Sequence, residues 1–259
     1  MFRGLMHKGL VLVFSIVISS ACLFAEDEKA FEKRAELAAK LLVSCRAIIA
    51  QNQDLFNDPA KGDKGFTGDI YVSKVQKHFK DATGVDVSVN DATSTDPIKK
   101  ILGILLVSSK TVIDENQNVL NMKGRGFKKL IPAIIGRRTG YKYNKALGAG
   151  YNLKQTSLQF RNPANHPDSY EKEVLKEFET NGYPIGKGKG EIVTNNDGSK
   201  TYRYMLPLYV TSACLKCHGG PKGERDISHK IKEGYKEGEI RGAISLKFPY
   251  LSEDLKNSK

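Results

Sequence analysis

Cys214-Leu215-Lys216-Cys217-His218 holds the residues best suited to chemistry. Two thiols two residues apart, followed at once by an imidazole, form the attachment signature of c-type haem. The thiols add to the two vinyl groups of a porphyrin, and the histidine is left beneath the iron as proximal ligand. With four Cys and five His in 259 residues, a chance match is on the order of one in a thousand. A thioredoxin-like dithiol is a weaker reading. It opens a helix after a strand near the start of a βαβ unit. This motif lies late and runs into Gly219-Gly220-Pro221-Lys222-Gly223, which forms no helix. A zinc site needs four ligands, and two cysteines with scattered histidines supply a poor set.

The opposite face of the iron needs a sixth ligand or stays open. Cysteine arithmetic points to Cys45: Cys214 and Cys217 are consumed by haem, and Cys22 is either cleaved off or lipidated. Cys45 then has no disulfide partner, and it falls on the apolar stripe of the first expected helix. A buried cysteine acting as a small hydrophobe is the commoner explanation. The competing ligands are His78, His166, His229, Met122 and Met205, and a five-coordinate iron is the remaining alternative. Arg161 is a candidate partner for a haem propionate, because guanidinium pairs well with carboxylate; a strand-ending turn at Arg161-Asn162-Pro163 explains it as well. Tyr202 and Tyr204 are expected in the core rather than the haem wall.

Haem attachment of this kind takes place outside the cytoplasm, and the N-terminus fits export. Arg3 and Lys8 precede the apolar run Gly9–Ile18, which ends in Ser19-Ser20-Ala21, the pattern of a signal peptide over residues 1–25. Cleavage after Ala25 releases a soluble periplasmic protein. Cleavage after Ala21 leaves Cys22 as a lipid anchor, with Ser19 a poor match to the usual Leu. The net charge of +12 suits an acidic redox partner or anionic lipid, while solubility alone also accounts for it. Nucleic acid is not expected as a partner of an exported haem protein.

The elements that position the motif are read from periodicity. Phe31, Ala35, Ala38, Leu42, Cys45, Ile49 and Phe56 recur at helical spacing across residues 26–56. Further helices are expected over 69–81, from Asp96-Pro97 to about Leu120, and over 168–180, the last opened by an Asp168/Glu171 capping box. Strands are expected over 151–160, 191–194, 201–210 and 239–248, with Asn196-Asp197-Gly198 as a hairpin turn. Helices followed by a mostly antiparallel sheet make an α+β fold, divided into an N-terminal helical region, 26–123, and a core, 124–259. The motif falls in the long connection from Thr211 to Gly238, and loops of that length in compact domains are usually functional.

Several stretches beyond the motif resemble a known family: Gly126-Phe127-Lys128 with Ile131-Pro132-Ala133, Lys154-Gln155-Thr156-Ser157, Arg161-Asn162-Pro163-Ala164-Asn165, Pro167-Asp168 with Glu171, Pro207-Leu208-Tyr209 and Gly238-Glu239-Ile240-Arg241-Gly242. Together, from about residue 30 to 250, they are similar to the PAS-like, single-haem c-type domain found alone and at the N-termini of sensory proteins. The resemblance implies a PAS-like antiparallel sheet carrying one covalent haem c. It also implies ligation of the iron by the motif histidine and a cysteine of the N-terminal helix, here His218 and Cys45. No output domain follows the last strand, so signalling would need a separate partner protein.

Three functions compete. A redox or ligand sensor would use thiolate ligation, which favours ferric iron. A periplasmic electron carrier would use the haem and the basic surface alone. A haem peroxidase would need a distal acid–base pair, which nothing around His78 or His166 suggests, so no enzyme activity is expected.

Overall fold

The computed structural model describes residues 28–250 in full and the backbone of the first helix back to Gly9. The expected signal peptide and Cys22 lie outside the fully described residues. Among the described residues no helix is long and apolar enough to cross a membrane. The fold is α+β, with eight α-helices and one open four-stranded antiparallel sheet among the described residues.

Helix α1 (Gly9–Gln51) carries the apolar stripe read from the sequence, and Phe31, Ala35, Ala38, Leu42, Cys45 and Ile49 are all buried. A short α2 (Gln53–Asn57) follows, then α3 (Gly68–Thr83), whose first turn is capped by the Thr67 hydroxyl. Helix α4 (Pro97–Asp114) starts as expected. The Asp96 carboxylate accepts from the amides of Ile98 and Lys99, and Pro97 occupies the first helical position. It ends earlier than its periodicity suggests, and a separate turn, α5 (Gln117–Leu120), completes the run.

Helix α6 (Pro132–Leu147) was not expected from sequence. Its Gly136 and Gly140 are points of close approach. A Cβ on Gly140 would stand 2.6 Å from the carbonyl oxygen of Leu153. One turn on, the Asn144 side chain bonds both backbone groups of Leu153, at 2.7 Å and 3.2 Å. Strand β1 (Asn152–Thr156), shorter than the 151–160 expected, is an edge strand, and α6 covers that edge.

The sheet order is β1-β4-β3-β2, where β2 is Lys189–Thr194, β3 is Lys200–Tyr209 and β4 is Ile240–Pro249. The β2–β3 hairpin turns at Asn195–Ser199, with Gly198 at φ +82°, as the Asn-Asp-Gly signal requires. Tyr202, Tyr204 and Leu206 of β3 and Ile244, Leu246 and Phe248 of β4 face α1 in one core. Phe31 of α1 packs on Tyr202 and Tyr250 at ring distances of 5.7 Å and 5.0 Å. This core joins residues from both sides of the boundary drawn at residue 124. The other face of the sheet is covered by α7 (Ser169–Phe178), whose Val174, Leu175 and Phe178 meet Met205 and Ala243. The capping box of α7 is formed in both directions by Asp168 and Glu171.

Candidate functional site

Between β3 and β4 the chain leaves the sheet at Val210, forms α8 (Ser212–His218) and returns at Glu239. The motif is itself helical and follows a strand, but it closes this short helix rather than opening one, and Gly219–Gly223 is not helical, as the sequence indicates. The setting differs as well, because the next strand, β4, runs antiparallel to β3 and no βαβ unit is present. The helix stops at Gly219, whose amide bonds the Leu215 carbonyl at 2.9 Å.

Helical spacing puts Cys214, Cys217 and His218, related by three and four residues, on one face of α8. Both thiols are half-buried. Cys214 Sγ accepts from the Thr211 amide at 3.5 Å. Burial first, and then the nearby Asp226 carboxylate, push the Cys217 thiol above its usual pKa.

The histidine is held from three directions. Its carbonyl accepts from the amides of Gly234 and Tyr235, at 3.1 Å and 2.9 Å. Its Nδ1 lies 2.9 Å from Glu233 Oε2. A carboxylate accepts only, so Nδ1 carries the proton and the lone pair sits on Nε2, the nitrogen free to ligate a metal. Burial, followed by the charge of Arg241, holds the His218 pKa below its ordinary value, so the neutral, ligating form is favoured. Burial opposes ionisation of Glu233, but hydrogen bonds from Arg161 and His218 outweigh it and hold its carboxyl below the usual range.

Arg161 reaches across from the segment after β1. Its Nε and Nη2 donate to the two oxygens of Glu233 at 2.6 Å and 2.7 Å, and Nη1 donates to Asp226 Oδ2 at 2.7 Å. Nη2 also donates to the carbonyls of Cys217 and Ile231 at 2.8 Å and 2.9 Å. From sequence Arg161 is a candidate partner for a haem propionate or simply part of a strand-ending turn. In the structure its guanidinium is committed to the motif's own loop. Asp226, its side chain fully buried, also accepts from the Ser228 amide and hydroxyl and from the Lys230 amide. Arg241 closes the network: its Nη1 donates to Ser157 Oγ at 2.8 Å, its Nη2 lies 3.7 Å from Glu233, and it stacks over Tyr235.

Cys45 is placed differently. Its thiol is fully enclosed and faces Tyr71 of α3 and Ser109 of α4, and burial raises its pKa against the hydrogen bonds from both. The next residue, Arg46, turns to the other side of α1, within electrostatic reach of Cys214 and Arg241. His78 bonds Ser44 at 3.1 Å, His166 lies edge-on to Phe160, His229 and Met122 are exposed, and Met205 is buried beneath α7. Tyr202 and Tyr204 are core residues, as expected.

Sequence reasoning missed Glu233, Asp226 and Arg46. The first two lie in an aperiodic loop with no motif around them. Arg46 reads as one of several charges flanking an apolar stripe. Arg241 and Ser157 were visible only as members of the shared stretches.

The residues fit a covalent haem. Two adjacent half-buried thiols and an imidazole whose free nitrogen is set by a carboxylate are the donors that attachment needs. A bare metal ion has no comparable set, since no group of three or more His, Cys, Asp or Glu side chains could hold one among the described residues. A family model described as Tll0287-like, Tll0287, matches residues 26–249. No curated protein and no solved structure matches the chain.

Proposed function

The chain belongs to the Tll0287-like family, and from that premise we propose that it is an exported, PAS-like protein carrying one covalent haem c, acting as a redox or ligand sensor. Cys214 and Cys217 form the thioether links and His218 is the proximal ligand. The observation that carries this reading is the chain of contacts Arg161–Glu233–His218 behind a Cys-x-x-Cys-His face. A dithiol enzyme has no use for an imidazole fixed in one tautomer, whereas a metal ligand requires it. When bound, the haem supplies one-electron redox chemistry and a site for small ligands. Arg161 and Asp226 hold the loop so that His218 keeps its orientation in either redox state.

Cys45 is the proposed sixth ligand. It sits one residue before Arg46, the residue of α1 turned toward the motif, and its present partners belong to α3 and α4. Moving this thiol between those partners and an iron would couple the redox state to the packing of three helices, which is what a sensor needs. A second reading, a periplasmic electron-transfer protein in which Cys45 stays a core thiol, is favoured by the complete enclosure of that thiol. An acidic partner protein would suit either reading.

The test is the absorption spectrum of the exported protein matured with a haem-attachment system, recorded ferric and ferrous. Thiolate charge-transfer features in the ferric state, absent in Cys45→Ala, support the sensor. A low-spin spectrum unchanged by that substitution selects the electron carrier. A protein without covalent haem rejects both.

A further inference from the structure

The positive charge of this chain is concentrated in one stretch. Between Asn116 and Pro167 there is no Asp or Glu, while ten positions are Lys or Arg. Without those ten, the 41 Lys and Arg of the whole chain fall to 31, against 29 Asp and Glu, so the rest of the protein is close to neutral. The stretch holds the loop before α6, α6 itself and β1.

Helix α6 turns Ile135, Gly136, Thr139, Gly140 and Tyr143 inward. Helical spacing then puts Arg137, Arg138, Tyr141 and Lys145 together on the opposite face. All four are exposed, Tyr141 by 70 %. At the margin of that face Lys142 pairs with Glu115 at 2.6 Å, and Arg138 donates to the neutral side chain of Asn116 at 2.8 Å. Among the described residues no salt bridge neutralises Arg137, Arg138 or Lys145. Arg138 and Lys142 also repel each other across one helical turn, a cost that a negative surface set against the helix would offset.

We propose that this outer face of α6 docks the protein on an anionic phospholipid surface. A protein partner is recognised through a pattern of both signs, which fixes its register. A bilayer of anionic lipid is a uniform negative plane, and a stripe of one sign meets it without any pattern. Tyr141 stands among the cations, and tyrosine is a residue type that rests at the level of lipid headgroups. Each Lys or Arg close to such a surface strengthens binding by about fivefold, so the few cations of one helix face suffice for a reversible contact. The proposal needs neither the haem nor the N-terminal apolar run.

The test floats the full chain with vesicles of phosphatidylcholine, with and without phosphatidylglycerol, in low and high salt. The protein should bind the anionic vesicles at least about tenfold more tightly than the neutral ones, and high salt should erase the difference. Arg137→Glu, Arg138→Glu and Lys145→Glu together should weaken binding to anionic vesicles by on the order of a hundredfold. Lys74→Glu, Lys99→Glu and Lys100→Glu, all exposed on other helices, change the net charge equally and should leave most of that binding. The chain has no tryptophan, so Tyr141→Trp reports on the face itself. Its emission should shift to the blue on anionic vesicles only, a readout that stands if the α6 triple variant does not fold. Equal binding to both kinds of vesicle, equal losses in the two triple variants, or bound protein whose Tyr141→Trp emission does not move would each overturn the proposal. Binding of poly-L-glutamate without any preference for anionic vesicles would overturn it too, and would make the face a site for an acidic protein.

Discussion

Glu233 Oε2 stands 2.9 Å from Nδ1 of His218, and this one contact determines which ring nitrogen is left for a metal. A carboxylate behind a ligating imidazole makes the ring a stronger donor, which favours the more oxidised metal. Glu233→Gln keeps the shape and removes the charge. The reduction potential of the loaded protein is expected to rise by on the order of 60 mV, the one-electron equivalent of a tenfold effect. Spectroelectrochemical titration of the two proteins side by side checks it, and an unchanged potential would show that the contact is not kept in the loaded state.

The bond from Arg161 to Asp226 and Glu233 closes the loop between α8 and β4. Arg161→Ala strands two largely buried carboxylates, so a loss of about 3 kcal/mol is expected in urea unfolding of the haem-free protein. Limited proteolysis should cut first between residues 219 and 239. Cleavage elsewhere would mean that the loop is held by other contacts.

The same network predicts an acid limit. Burial works against ionisation of Asp226, but Ser228, Arg161 and the loop amides outweigh it and bring its pKa to about 2. Its folded value is thus below the unfolded one, near 3.9. The stabilisation is complete above about pH 4 and is lost as the pH falls toward 2. Asp226→Asn should therefore be less stable than wild type by a constant amount at neutral pH, and the gap should close below pH 4. A gap that is flat down to pH 2 would contradict the assignment.

Cys45 is enclosed and its thiol is held protonated by burial. In haem-free protein with both motif cysteines replaced, Cys45 should resist a thiol reagent at pH 8 and react only on unfolding. Modification at the rate of a free thiol would place the sulfur outside the helical core and weaken its role as a packing partner of Tyr71 and Ser109.

Gly140 tests the helix that sequence did not anticipate. Alanine at a helix interior normally gains about 1 kcal/mol over glycine. Here its Cβ would press to 2.6 Å from a backbone carbonyl, so Gly140→Ala should instead destabilise by about 1–3 kcal/mol. A rise in thermal stability would show that α6 does not sit this close to β1.

The motif, the apolar stripe of α1, the hairpin at Gly198 and the caps at Asp96 and Asp168 could all be read from sequence, because each depends on residues within a turn or two of one another. Tyr202 and Tyr204 were likewise assignable to the core from sequence. Long-range contacts decided the rest. The role of Gly136 and Gly140 emerges only when β1 and Arg46 are packed against them, and then they are what allows α6 to approach. Glu233 and Asp226 stand in a loop without periodicity, so nothing local marks them as partners of His218 and Arg161. Arg161 and Arg46 are alike as residues. Only the tertiary structure surrounds Arg161 with carboxylates while, among the described residues, no ion pair forms at Arg46, since charge pairing depends on distances across the fold rather than on spacing along the chain.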